Sequence, residues 1–180
     1  MHELHRIDFC HRTFNSVDLH YFLHSLRNIY QRHGGLESVY NKGYRRHGSI
    51  REAHIFFREV FLELDHPVRT EKHIANVLKN ASAKRLNMFL RWMVRNNNNG
   101  VDFGLWKQIP ASDLFIPLDV HSGRIARAMG LLTRKQNDWI AVEELTRNLR
   151  KFDFSDPVKY DFALFGMGVF EENDSATNRF

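Results

Sequence analysis

The sequence predicts an all-α fold. Several stretches repeat apolar residues at the 3.6-residue helical period, and none sustains the apolar–polar alternation of a half-buried strand. The apolar runs are also bounded by helix start and stop signals.

The first helix follows Asn15, with Leu19, Phe22, Leu23, Leu26 and Tyr30 on one face. Asn15 with Asp18 three residues on is a start signal, and Gly34-Gly35 a stop. A short helical piece is expected over residues 36–40. Ser49 and Glu52 form a capping-box pattern. It opens a helix whose core stripe is Ala53, Phe56, Phe57, Val60, Phe61 and Leu64. Asp65-His66-Pro67 closes that helix, because the residue before proline is pushed out of helical conformation. Thr70 then caps a helix running to Lys79, residues 80–83 turn, and a second helix follows with Leu86, Phe89, Leu90 and Met93 on one side. Residues 70–95 thus read as a helical hairpin. The Asn-rich run after Arg95 is a loop, with a short helix expected over residues 103–108. Asp119 is placed as an N-cap and Gly130 as a C-cap for a helix holding Ile125, Ala126 and Met129. Residues 138–151 form the next helix, with Val142, Leu145, Leu149 and Phe152 inward. Asp156-Pro157 starts the last one, since proline suits the first helical position, and Gly166 and Gly168 end it. Residues 1–170 therefore read as a single helical domain and residues 171–180 as a polar, mobile tail.

Composition narrows the function classes. The chain has 180 residues and is 43% hydrophobic with 15 Phe and 3 Trp, enough for a substantial core. Its single cysteine, Cys10, excludes an internal disulfide and the four thiolates of an ordinary iron–sulfur cluster, and reads as an ordinary buried thiol. Residues 1–8 are polar and His-rich, unlike a secretory signal. The longest apolar stretch, near residues 162–170, is too short to span a bilayer. A cytoplasmic location without membrane association is expected. His20 and His24 stand four apart, a metal-like spacing, but no acidic third ligand accompanies them, and no metal or cofactor is expected.

The net charge is +5, and its distribution is uneven. Residues 84–151 hold 12 Lys plus Arg against 6 Asp plus Glu, whereas the rest of the chain holds 14 against 15. The basic excess sits in one segment, which suits a polyphosphate partner or a solvated face.

Three segments carry chemistry. The first runs Ile116-Pro117-Leu118-Asp119-Val120-His121-Ser122-Gly123-Arg124-Ile125-Ala126-Arg127-Ala128-Met129-Gly130-Leu131. The second is Lys84-Arg85-Leu86-Asn87-Met88-Phe89-Leu90-Arg91-Trp92. The third is Asp156-Pro157-Val158-Lys159-Tyr160-Asp161-Phe162-Ala163-Leu164-Phe165-Gly166-Met167-Gly168. Read alone, Asp119 is a plain N-cap, Lys84 a solvated lysine, and Trp92 and Trp106 packing residues.

The first segment resembles the stretch of helix-hairpin-helix DNA glycosylases whose aspartate is the catalytic carboxylate, and Asp119 matches that aspartate. The second resembles the helix after the hairpin turn in bifunctional glycosylases, the archaeal 8-oxoguanine branch being nearest in texture; Lys84 matches their nucleophilic lysine. The third resembles the late helix ending in a glycine behind the aspartate. Together residues 84–168 look closely like an uncharacterised bacterial family known only as a domain of unknown function. Members of that family carry helices upstream of the stretch matching residues 9–14, which implies an N-terminally shortened chain. Residues 80–83 hold no glycine, where glycosylase hairpins turn on a glycine-hydrophobic-glycine loop, and the Lys84–Asp119 separation is long for a glycosylase.

The resemblance implies a helix-hairpin-helix glycosylase-like fold, with a catalytic-type loop and helix at residues 116–130. It also implies DNA repair by base excision on duplex DNA. Lys84 would attack the sugar C1′ as the base departs, giving a Schiff base, and Asp119 would act as the activating carboxylate, stabilising the cationic sugar and helping to deprotonate the amine. The target nucleotide must first be flipped out. Arg85, Lys107, His121, Arg124, Arg127, Arg134 and Lys135 would contact phosphates, Trp92 or Trp106 would stack on the base, and Asp161 would hold the late helix against the Asp119 loop. Two alternatives stand beside this expectation: a non-catalytic nucleic-acid-binding module, and a truncated, partner-dependent helical domain.

Overall fold

Helices account for most of the chain in the computed structural model, which describes residues 9–97 and 100–168. A two-residue antiparallel pair, β1 (Cys10–His11) and β2 (Phe14–Asn15), leads into them. Contacts gather the chain into two compact units that divide between Asn76 and Val77.

The first unit holds α1 (Ser16–Arg32), α2 (Leu36–His47) and α3 (Ile50–Phe61). The capping box expected at Asn15 and Asp18 is present in both directions. The helix at Leu36 is longer than the short piece expected. At Ser49 the side chain accepts from the Arg51 N–H, while Glu52 pairs with the Arg51 guanidinium instead of closing a box. The buried stripe of α1 is not the apolar one. It is Asp18, Tyr21, Ser25, Asn28 and Ile29, while Leu23 and Tyr30 are exposed. The polar side chains go inward because they have backbone and side-chain partners there. Tyr21 Oη and Ser25 Oγ both donate to the Phe61 carbonyl, at 2.7 and 2.6 Å, satisfying an acceptor that the end of α3 leaves open.

No α-helix forms over residues 70–79. Two 3-10 turns, Val68–His73 and Val77–Lys79, take its place. Thr70 is no cap: its buried hydroxyl donates to Asp18 Oδ1 at 2.8 Å. Burial pushes the Asp18 carboxyl up, but the Asn15 N–H, Thr70, Arg69 and His73 together hold it below the ordinary carboxylate range. Cys10 is exposed, not buried.

Between α2 and α3 the contact is backbone-close at Gly43. A Cβ there would stand 2.9 Å from both Ala53 Cα and Phe56 Cβ. Overpacking of this kind costs about 1–3 kcal/mol, against about 1 kcal/mol of helix propensity gained. The Ala53 contact is to backbone, which puts the cost at the upper end, so Gly43→Ala is expected to lower stability by about 2 kcal/mol, read from the urea midpoint. A variant as stable as the parent would mean that α2 and α3 part freely at this point.

The second unit holds α4 (Lys84–Val94), α5 (Val120–Ala128) and α6 (Trp139–Leu149), followed by a 3-10 turn (Pro157–Tyr160) and helical residues 161–168. Its core draws on Leu90, Leu118, Ile125, Val142, Leu145 and Leu149. The expected cap Asp119 accepts from its helix's third backbone N–H, and Asp138, expected only as the start of its helix, caps α6 in the same way. No helix forms over residues 103–108. Phe103 N–H donates to Trp92 O at 2.7 Å and Trp106 N–H to Met93 O at 2.8 Å, so this segment runs back along the end of α4. Phe152 points outward, 64% exposed, because the chain leaves the helix at Leu149. Gly166 and Gly168 lie inside the last helical stretch and do not end it before residue 168. The expected tail, residues 171–180, lies outside the described residues.

Candidate active site

Lys84 is the first residue of α4, and the turn before it sets its direction. Asn80 and Ala83 both take left-handed backbone, with φ of 61° and 51°. Glycine usually fills such positions, asparagine tolerates them, and alanine seldom does. Here the turn is over-determined from both sides. The Asn80 carbonyl accepts from the Trp139 N–H at 3.1 Å, and its side-chain amide donates to Asp138 at 2.8 Å. The Asn87 amide reaches back to the Ser82 carbonyl at 3.2 Å.

Asp119 is fixed by a different device. Its Oδ1 accepts from the Ser122 N–H at 2.8 Å and from Ser122 Oγ at 3.0 Å, and its own N–H donates to Ser122 Oγ at 3.0 Å. The Asn137 amide donates to its carbonyl at 3.1 Å. This leaves Oδ2 to receive Lys84 Nζ at 2.9 Å, with the lysine side chain 43% and the aspartate side chain 13% exposed. Burial raises the Asp119 carboxyl, but Lys84 and the two Ser122 donors outweigh it and hold the group below the ordinary carboxylate range. The resting pair is an ammonium against a carboxylate.

Both groups line a cavity of about 310 Å³. Met88, Val101, Pro117, Phe162 and Phe165 give it apolar walls, and Trp92 stands at it with 39% exposure. Two further charged groups line it, Arg91 and Asp161. Arg91 is 1% exposed, donates to Asp161 Oδ2, and lies 4.0 Å over the Phe162 ring. On its other side Arg91 Nε stands 3.3 Å from Asp102 Oδ1, an ion-pair distance without hydrogen-bond alignment. Asp102 also receives Arg95, which donates to Asp156 at 2.8 Å. Burial pushes Asp161 up to about 6; Arg91 opposes this and the Asp119 charge adds to it.

Among protein families, residues 1–170 match one described as a protein of unknown function (DUF2400). The chain belongs to the DUF2400 family. No curated protein and no solved structure matches it.

In this DUF2400 chain the fold thus brings Lys84, Asp119, Asp161 and Trp92 to one cavity. Trp106 does not join them: it is 7% exposed and packs edge-on against Phe89 at 5.4 Å, which removes it as a stacking platform. His121 sets its ring edge-on to Phe165 at 6.0 Å and abuts Gly168, where any Cβ would stand 3.0 Å from the His121 Cβ. Three of the arginines expected at phosphates have protein acceptors. Arg124 donates to the Gly168 carbonyl at 2.6 Å. Arg127 donates to the Arg134 carbonyl at 2.8 Å and to Asn137 Oδ1 at 2.7 Å. Arg134 pairs with Asp138. Arg85, Lys107 and Lys135 are exposed. Arg91, Phe162, Phe165 and Asn137 escaped the sequence reading; the signal for Phe162 and Phe165 was their spacing of three on the helix that carries Asp161. Among the described residues no three His, Cys, Asp or Glu gather to hold a metal, and no helix is long and apolar enough to cross a membrane.

Proposed function

We propose that this DUF2400 protein is a DNA glycosylase/AP lyase, acting in base-excision repair on a nucleotide flipped from duplex DNA, with two 3-10 turns standing where the first helix of the hairpin was expected. The observation that carries the reading is the 2.9 Å contact of Lys84 Nζ with Asp119 Oδ2 inside an aromatic-walled cavity. These residues stand 35 apart in the chain, and each was singled out by its own motif. At about 310 Å³ the cavity suits one planar base with its sugar at the mouth. Trp92 and the phenylalanines offer stacking faces.

In the proposed reaction Nζ bonds to C1′ as the glycosidic bond breaks and its electron pair leaves with the base. Asp119, ionised and fixed through its other oxygen, stabilises positive charge at the sugar. The Lys84–Asp119 contact also explains why a carboxylate, and not another N-cap, stands at residue 119. Exposed Arg85, Lys107 and Lys135 supply phosphate contacts.

Borohydride reduction of the purified protein on a duplex bearing an abasic site tests this. A covalent protein–DNA complex is expected, and Asp119→Asn, which keeps a cap acceptor but loses the charge, is expected to slow its formation by about 10²-fold or more. A folded protein that binds DNA in a salt-dependent manner yet traps nothing would sink the lyase and leave a binding module.

A further inference from the structure

Schiff-base chemistry needs Lys84 without its proton, and the cavity raises the question of where that proton goes. Asp119 touches the amine through Oδ2, at 2.9 Å, but it holds a proton weakly. Its Oδ1 already accepts two hydrogen bonds from Ser122, and its carboxyl sits below the ordinary range. Asp161 is differently situated. It is 5% exposed and lines the same cavity; its Oδ2 is held by Arg91, while its Oδ1 takes no hydrogen bond from the described residues.

We propose that Asp161 is the proton acceptor that frees the Lys84 amine, an inference that rests on the Schiff-base reading of this site. On an abasic sugar the step balances as follows. The Lys84 ammonium, paired with Asp119 at rest, gives a proton through one solvent molecule in the shared cavity to Asp161 Oδ1. The neutral amine adds to the C1′ aldehyde, and proton transfer within the adduct gives a neutral carbinolamine. Asp161 returns its proton to the carbinolamine hydroxyl, which leaves as water, and an iminium remains on Nζ. The carboxylate is restored and the net charge is unchanged.

The environment of Asp161 supports the role. α4 presents Arg91 and Lys84 to it, and the start of α5 presents Asp119. His121 and Arg124 of α5 meet the far end of its helix, at Phe165 and Gly168. Burial and the Asp119 charge lift the carboxyl to about 6, so at neutral pH it is ionised yet a better proton acceptor than Asp119.

The test is the rate of borohydride trapping on the abasic-site duplex, measured at single turnover against pH. The parent rate is expected to fall on the acid side, with a midpoint near 6. Asp161→Asn keeps an oxygen for Arg91. It is expected to trap about 10²-fold more slowly at pH 7 and to lose that acid limb. Trapping within about threefold of the parent, with the limb unchanged, overturns the proposal. If Asp161→Asn does not fold, Asp161→Glu decides: the limb moves with the new carboxyl if the proposal holds, and stays in place if another group owns it. A parent protein that traps nothing sinks the Schiff-base reading itself, a different result from trapping that ignores residue 161.

Discussion

Lys84→Gln is expected to bring borohydride trapping on abasic DNA down to background, a loss of about 10³-fold or more, with folding intact. The size follows from the chemistry: a glutamine amide has no basic electron pair to form an imine, so the covalent route disappears and does not merely slow. The ion pair that is lost is half-open on its lysine side, 43% exposed against 13% for Asp119, and the carboxylate keeps its Ser122 donors, so the cost is about 1 kcal/mol. The thermal midpoint should therefore move by no more than a few degrees. Trapping measured alongside circular dichroism separates the two effects. Undiminished trapping by Lys84→Gln would place the attacking amine elsewhere and remove the basis of the proposed function.

Arg91→Leu is expected to be the most damaging single change to stability, by about 3–5 kcal/mol. Arg91 is 1% exposed, and its removal strands Asp161 and takes away part of what offsets the charge on Asp102. The cation–π contact with Phe162, at 4.0 Å, goes with it. The pH dependence has a definite sign. Asp161 is an acid whose folded-state carboxyl lies above its unfolded value, so its ionised form is the one that costs stability. Without Arg91 that cost is larger, so the deficit should be greatest above pH 6 and should shrink as pH falls and Asp161 takes up its proton. Urea unfolding of parent and variant at pH 5 and pH 8 checks both size and sign. A deficit under about 1 kcal/mol would mean that the buried carboxylates find other partners.

Local chemistry was readable in the sequence and long-range chemistry was not. Asp119 could be placed as a helix cap because its partner, Ser122, lies three residues on, and the same holds for Asn15 and Asp18. Thr70 follows the same local pattern and misleads, because its partner, Asp18, lies 52 residues away. Counting apolar residues in α1 picked Leu23 and Tyr30, since no periodicity reveals that Tyr21 and Ser25 serve a carbonyl at the end of another helix. The missing glycines of residues 80–83 looked like a departure from the glycine-hydrophobic-glycine turn of glycosylase hairpins. Asn80 and Ala83 nonetheless take left-handed backbone, held there by Trp139 and Asp138 from a distant helix start. Arg91 is one of 12 Lys and Arg in the basic segment, and nothing local marks it out. Only the fold reveals that Asp102 and Asp161 close around it.

The three tryptophans sit in unequal surroundings, with Trp106 and Trp139 buried and Trp92 half open at the cavity. The molecule therefore carries its own optical gauge. Water-exposed indole emits to the red and is reached by acrylamide, whereas the two buried indoles form a steady background. Anything that fills the cavity should turn the red component bluer and shield it from the quencher. Occupancy can thus be followed in the unlabelled protein, before any substrate has been identified.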